Sequence, residues 1–186
     1  MTLTEGDTFP KGVEFNYIPI DIEIRKQDPL SCSRPIKLFL DKLFEKHLSE
    51  NILFVAVPGA FTPTCTENHI PPFLDHLNTL KKDKDIGAVV ILSTNDAFVL
   101  NAWGKLLLEP VDLSGDLPEL IFASDPNASF SKEYGLFNDA TASGMGIRSA
   151  RYAMLVDSSR KIKYLGREVE RGVKYSGYDA ILNAKL

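Results

Sequence analysis

The sequence predicts a layered α/β domain, and three observations carry that prediction. Short apolar runs of strand length alternate with segments whose apolar residues recur at helical spacing. Two of the runs, 52–57 and 86–92, are apolar almost throughout, as strands covered on both faces are. With 186 residues, 44% hydrophobic and 25% charged, the chain is expected to form a single domain over 1–186. A domain of that size buries its core without disulfides or a structural metal.

The elements follow in order. Residues 13–20 alternate well enough for an early strand, expected at a sheet edge. Residues 28–33 form a polar loop that holds Cys32, and Pro35 suits the first turn of a helix. The apolar positions of that helix would be Ile36, Phe39, Leu40, Leu43 and Phe44. The 52–57 strand enters the turn Pro58-Gly59-Ala60-Phe61-Thr62-Pro63-Thr64-Cys65, and a helix then runs to about Lys82. Pro71-Pro72 is expected to kink or break it. A buried central strand at 86–92, a helix at 96–108 and a short strand at 120–123 come next. A helix from about Asn127 to Tyr134 should end at Gly135. Residues 152–156 and 162–165 read as a hairpin, and 178–186 as a closing helix. Neither an internal repeat nor a low-complexity linker is evident.

Composition narrows the function classes. A net charge of −4 gives no reason to expect nucleic acid or an anionic membrane as partner. Apolar runs of five to six residues do not span a bilayer, and the first residues lack the basic and apolar regions of a signal peptide. Two cysteines, Cys32 and Cys65, do not make a disulfide scaffold, so a reducing, cytoplasmic setting is expected. His47, His69 and His76 have no zinc-type spacing, and Gly144-Met145-Gly146 lacks the third glycine and the preceding strand of a phosphate loop. No metal or cofactor is expected.

A lone cysteine in a mixed fold is more often a small buried hydrophobe than a nucleophile. Cys65 differs by position. Thr64-Cys65-Thr66-Glu67 fits a capping box with Thr64 as N-cap, placing Cys65 at the positive end of a helix, where a thiolate is stabilised. Moving a thiol from a pKa of ~8.5 to ~6 requires about 3.4 kcal/mol, whereas a helix N-terminus contributes ~0.3–1 and at best ~2 kcal/mol. A cation at ~4 Å carries ~4 kcal/mol at an effective dielectric of ~20, before desolvation. An arginine should therefore reach this pocket. Arg148 and Arg151 are the candidates, Arg151 because it opens a strand that would neighbour the one feeding Cys65; the alternative is that both are surface charges.

The eight-residue turn resembles the peroxiredoxin signature Pro-x-x-x-Thr-x-x-Cys, and its expanded form, with His69-Ile70-Pro71, is similar to the type II, peroxiredoxin-5-like subfamily. Ser93-Thr94-Asn95-Asp96-Ala97-Phe98, Trp103, Ser124-Asp125-Pro126 and Arg151-Tyr152-Ala153-Met154 match the same pattern, so the likeness covers roughly 5–186. It implies a thioredoxin fold, with a central mixed β-sheet flanked by helices and an N-terminal extension. It also implies that Cys65 is the peroxidatic nucleophile, that Thr62 hydrogen-bonds the thiolate and a peroxide oxygen, that Arg151 stabilises thiolate and transition state, and that Pro58 shields the pocket. His69 matches the family's histidine. Reading Cys65 and His69 as a hydrolase dyad lacks a third, orienting group.

The implied reaction is attack on a hydroperoxide to give a sulfenic acid, which a second thiol resolves. Cys32, in a loop similar to that of fungal type II alkyl hydroperoxide reductases, is the expected resolving residue. In those relatives the disulfide joins two subunits of a homodimer and is reduced by thioredoxin. The C-terminal cysteine that animal members use is missing around Tyr175-Ser176-Gly177. A one-cysteine enzyme recycled by glutathione and glutaredoxin, a peroxide sensor or holdase with little turnover, and a non-catalytic binding module remain alternatives. The chain ends Ala184-Lys185-Leu186, close to the Ser-Lys-Leu peroxisomal signal, which sets peroxisomal import beside a cytoplasmic location.

Overall fold

The computed structural model describes residues 1–24 and 26–185. Nine strands and six α-helices are described: β1 (Glu14–Tyr17), β2 (Ile36–Phe39), α1 (Leu40–Lys46), β3 (Asn51–Ala56), α2 (Pro71–Leu74), α3 (Leu77–Lys84), β4 (Ile86–Ser93), α4 (Ala97–Leu108), β5 (Glu119–Ser124), α5 (Ser129–Glu133), β6 (Phe137–Ala140), β7 (Gly146–Ser149), β8 (Tyr152–Val156), β9 (Ile162–Arg167) and α6 (Tyr178–Asn183). Seven strands form one sheet in the order β2-β1-β5-β4-β3-β8-β9, while β6 and β7 pair separately. The parallel trio β5-β4-β3 lies at its centre and β8 runs antiparallel to β3.

The sheet separates two apolar clusters because alternate side chains of each strand face opposite ways. Ile52, Phe54 and Ala56 of β3 join Phe9, Phe15 and Phe130 on one side. Leu53 and Val55 join Cys65, Phe73, Trp103 and Ile181 on the other. Every residue of β4 is buried, as its unbroken apolar run requires. The N-terminal segment belongs to this core: Phe9 is fully buried, stacked on Phe54 at a centroid distance of 5.1 Å.

Several expectations held: β3, the central β4, β5, the β8–β9 hairpin and α4. Asp96 caps α4 by accepting from the Phe98 and Val99 N–H groups at 2.9 and 3.0 Å. Others did not. Strand β1 is not an edge, since β2 covers it on the outside. Residues 36–39 form that edge strand rather than the start of a helix, and α1 begins only at Leu40. Ile36 and Leu40 fit either period, and pairing with β1 decides. Asn127 and Ala128 hold left-handed backbone (φ 59° and 54°), so α5 starts at Ser129; the buried Asp125 carboxylate accepts from the Phe130 and Ser131 N–H groups. The β6–β7 ribbon has no apolar alternation and was not expected. The closing helix ends at Asn183, and Leu186 lies outside the described residues.

Gly104 explains how closely α4 approaches the sheet. A Cβ there would lie 2.7 Å from Ile20 Cδ1 and 2.8 Å from Phe122 Cδ2. Gly104→Ala is expected to lower stability by about 1–2 kcal/mol, overpacking outweighing the gain in helix propensity. Urea denaturation of the two proteins measures this; an alanine variant at least as stable as the parent would contradict it.

Candidate active site

The end of β3 carries the Pro58–Cys65 turn, and neighbouring strands hold it on both sides. The Val57 N–H donates to the Leu92 carbonyl of β4 at 2.9 Å, and Ser149 Oγ donates to the Val57 carbonyl at 2.9 Å. Beyond β4, Asn95 Oδ1 accepts from the Ala60 N–H and from Ser93 Oγ, both at 2.9 Å. Thr62 Oγ1 donates to the Gly59 carbonyl at 2.8 Å, closing the turn on itself. Phe61 sits in the left-handed region at φ 61°, a conformation that costs a non-glycine residue about 1 kcal/mol, with its ring half exposed.

The helical turn that follows, Thr64–His69, begins earlier than the capping box implied. Pro63 is already helical (φ −54°, ψ −58°), and the Thr62 carbonyl accepts the first bond, from the Thr66 N–H at 2.9 Å. Proline's fixed φ suits a first helical position, so Thr64 lies inside the turn and forms no cap. The turn is π-helical: the Ile70 N–H donates to the Cys65 carbonyl, five residues back, at 3.2 Å. Pro71 and Pro72 have no N–H for the carbonyls of Glu67 and Asn68, and the helix expected to reach Lys82 breaks into this turn, α2 and α3. So short a turn aligns few peptide dipoles, which sharpens the need for a cation beside Cys65.

Arg151 meets that need. β8 pairs antiparallel with β3 so that Tyr152 lies opposite Ala56, which brings Arg151 to the end of β3. Its Nη2 donates to Cys65 Sγ at 3.3 Å and its Nη1 to His69 Nδ1 at 3.1 Å. Arg148 goes elsewhere: its Nε donates to the Met145 carbonyl at 2.6 Å, within the β6–β7 ribbon. Cys65 is fully buried, whereas a cleft of about 1330 Å³ opens at Arg151, Thr62 and Pro58, with Phe137 and Met145 also lining it. Trp103 Nε1 donates to Thr66 Oγ1 at 3.2 Å, tying the turn to α4.

His69 has a supporting task that its position four residues after Cys65 did not disclose. A guanidinium only donates and a carbonyl only accepts. Nδ1 is therefore the acceptor toward Arg151, and Nε2–H donates to the Ser176 carbonyl at 2.8 Å. Both ring nitrogens are engaged away from Cys65, so the hydrolase dyad has no base. Burial pulls the His69 pKa down to about 4, with the Arg151 charge acting the same way against the Ser176 bond. Ser176 in turn rests on Glu168, whose Oε1 accepts from the Tyr175 N–H, the Ser176 N–H and Ser176 Oγ at 2.6, 2.7 and 3.0 Å. The Glu168 N–H donates to the Arg151 carbonyl at 2.9 Å. Sequence reasoning missed Glu168 and Ser176, because an acceptor 107 residues from its histidine leaves no local spacing to read.

Cys32 is exposed, as its polar loop implied, and far from Cys65 in burial and setting. Lys105 of α4 donates to the carbonyls of Asp28, at 3.2 Å, and Ser31. Among the described residues, no group of three or more His, Cys, Asp or Glu side chains converges as a metal site, and no helix is long and apolar enough to cross a membrane.

Comparison with known proteins finds a matching family. The Redoxin family model matches residues 4–182. A relative from Lipomyces kononenkoae, named as a peroxisomal peroxiredoxin, is 45% identical over 179 residues, covering 96% of this chain and 98% of its own. Peroxiredoxin AHP1 of Chaetomium thermophilum is 36% identical over 182 residues, 97% of this chain and 93% of its own. Among solved structures, reduced Prx3 of Vibrio vulnificus in complex with hydrogen peroxide superposes with a TM-score of 0.75 at 28% identity, over 97% of this chain and 98% of that one. The sheet and its flanking helices are thus a thioredoxin-like fold.

A histidine held near 4 in the folded state and near 6.5 in the unfolded chain contributes stability that is complete above pH 6.5 and is lost as pH falls toward 4. Urea titrations are expected to show a loss on the order of 3 kcal/mol across that window, and His69→Gln should flatten it. An equal slope in both proteins would show that His69 does not carry it.

Proposed function

The chain belongs to the Redoxin family and is a peroxiredoxin, hence a peroxidase, and on that footing we propose that Cys65 is its nucleophile toward hydrogen peroxide and alkyl hydroperoxides. The observation that carries this reading is the 3.3 Å contact from Arg151 Nη2 to Cys65 Sγ. The guanidinium favours the thiolate, and its remaining charge faces the oxygen on which negative charge develops. The sulfur attacks the terminal oxygen, an S–O bond forms as the O–O bond breaks, and the electron pair leaves on an alkoxide or hydroxide that takes up a proton. Cys65 becomes a sulfenic acid. Thr62, with its hydroxyl proton committed to Gly59, offers lone pairs to the peroxide proton, and Pro58 shields the reacting atoms from water. The 1–186 chain acts as one domain.

Cys32 of a partner protomer resolves the sulfenic acid: its sulfur attacks Cys65 Sγ, an intersubunit disulfide forms and water leaves. One feature supports a partner over the same chain. Trp103, which holds the Cys65 turn, and Lys105, which holds the Cys32 loop, leave α4 about 200° apart, so the helix stands between them. Thioredoxin reduces the disulfide by thiol exchange. The protein acts in the cytoplasm, with Ala184-Lys185-Leu186 as a peroxisomal address; the name of the Lipomyces relative favours the second site.

Three outcomes test this. Cys65→Ser is expected to abolish hydroperoxide consumption, and persistent activity would overturn the assignment. Arg151→Met should lower the rate of peroxide reaction about a hundredfold, read by stopped flow. Cys32→Ser should consume about one equivalent of peroxide and then stop, with no covalent dimer on a non-reducing gel and no NADPH oxidation with thioredoxin and its reductase. Sustained turnover of that variant with glutathione and glutaredoxin would favour the one-cysteine cycle instead.

A further inference from the structure

Arg151 is held at its backbone by Glu168 directly and at its guanidinium by a chain of bonds that starts from the Glu168 carboxylate. The Glu168 N–H donates to the Arg151 carbonyl at 2.9 Å. The Glu168 carboxylate fixes Ser176, the Ser176 carbonyl fixes His69, and His69 Nδ1 receives Arg151 Nη1. The bonds thus form a closed ring that leaves the Arg151 backbone, passes through Glu168, Ser176 and His69, and returns to the Arg151 guanidinium. Its free arm, Nη2, points at Cys65.

We propose that Glu168 is a positioning residue for the peroxidase reaction, acting through Ser176 and His69 to aim Arg151 at Cys65. This rests on the reading of Cys65 as the nucleophile. Three features of the ring favour it over a merely structural carboxylate. Glu168 is 9% exposed, and a single oxygen, Oε1, accepts three bonds from two consecutive residues, Tyr175 and Ser176. Those residues have no strand or helix of their own, so the carboxylate sets where the Ser176 carbonyl points. The backbone offers no slack either: a Cβ at Gly166 would collide with the Tyr175 carbonyl oxygen and the Tyr164 hydroxyl. Glu168 lies two residues beyond that contact, at the end of β9, where the hairpin with β8 places Tyr152 opposite Arg167.

The same strand end serves the cleft. Arg167 Nη1 donates to the Gly135 carbonyl at 2.7 Å, and Nη2 to the Phe137 carbonyl at 2.9 Å and Asn138 Oδ1 at 3.1 Å. Successive residues of β9 and its exit thus tie down Phe137 and Asn138, which line the cleft, and, through the ring, Arg151, which lines it too.

What Glu168 supplies is the reach of an acceptor oxygen, and three variants separate reach from charge. Glu168→Gln keeps the reach and an acceptor oxygen but loses the charge; its rate of peroxide reaction, followed by stopped flow, is expected within about threefold of the parent. Glu168→Asp keeps the charge but is one methylene short, and is expected to lose about tenfold, as a misplaced positioning group does. Glu168→Ala should lose at least as much. In the Asp and Ala variants the pH dependence of Cys65 alkylation is expected to move to higher pH, a change that a loss of stability alone does not produce. If the Ala variant does not fold, the Gln and Asp proteins decide. An Asp variant that matches the parent in rate and pH profile would overturn the proposal, as would a Gln variant slower than Asp. Should the parent consume hydroperoxide while all three variants match it, only this inference fails. Should the parent and Cys65→Ser react alike, the reading of Cys65 fails first.

Discussion

The antiparallel pairing of β8 with β3 is the constraint on which the site depends. Five consecutive partners, from Ile52 and Val156 to Ala56 and Tyr152, fix the register. A slip of one residue would turn every side chain of β8 to the opposite face. With the register as it is, Arg151 meets the chain where β3 has just released it into the Pro58 turn. The parallel neighbour β4 adds Asn95 from its own carboxyl end. A guanidinium from the antiparallel strand then meets the thiol in its short helical turn, and an amide from the parallel one holds the loop that leads there. Placement comes from the sheet and chemistry from the loops.

Much of this was legible in the sequence because it is written in local patterns. The unbroken apolar run of β4 announced a central strand, that of β3 a strand feeding the Cys65 turn, and residues 96–108 read as a helix where α4 lies. The magnitude argument at Cys65 was also legible: a helix start falls short of what a thiolate needs, so a cation had to come from elsewhere, and Arg151 was one of two candidates. The failures have physical causes. Ile36 and Leu40 satisfy two periods, and only the presence of β1 alongside resolves them. Pro63 satisfies a helix start better than Thr64 satisfies a cap. The β6–β7 ribbon buries too little of either face to impose an alternation.

The support behind Arg151 was illegible for another reason. Glu168, Ser176 and His69 are joined through backbone groups, and a carbonyl or an N–H carries no residue identity. Any residue at 176 could lend its carbonyl to His69, and only the hydroxyl contact to Glu168 is specific to serine. The acidic and polar residues of 168–176 therefore read as ordinary loop composition until their positions are known. Buried polar groups of this kind tolerate little error, since each unpaired donor would carry its full desolvation cost.

The two prolines after Ile70 thin the backbone ladder between the Cys65 turn and α2, because neither offers an N–H. A sulfur with no solvent access cannot join one on another chain while it stays in place, because a disulfide brings its α-carbons to about 4.4–6.8 Å. For the proposed disulfide to form, Cys65 would have to leave its pocket. The bonds given up would be those inside its turn, between Thr62 and Ile70, together with the Trp103 and Arg151 contacts and the bond from His69 to Ser176. Past the prolines the backbone link is thin but unbroken: the Ile70 carbonyl accepts from the Phe73 and Leu74 N–H groups of α2 at 3.0 and 3.3 Å, and α3 with its buried Leu77 and Leu80 follows. The proposed disulfide thus asks first for the unwinding of the stretch from Thr62 to Ile70, and α2 lies between that stretch and α3.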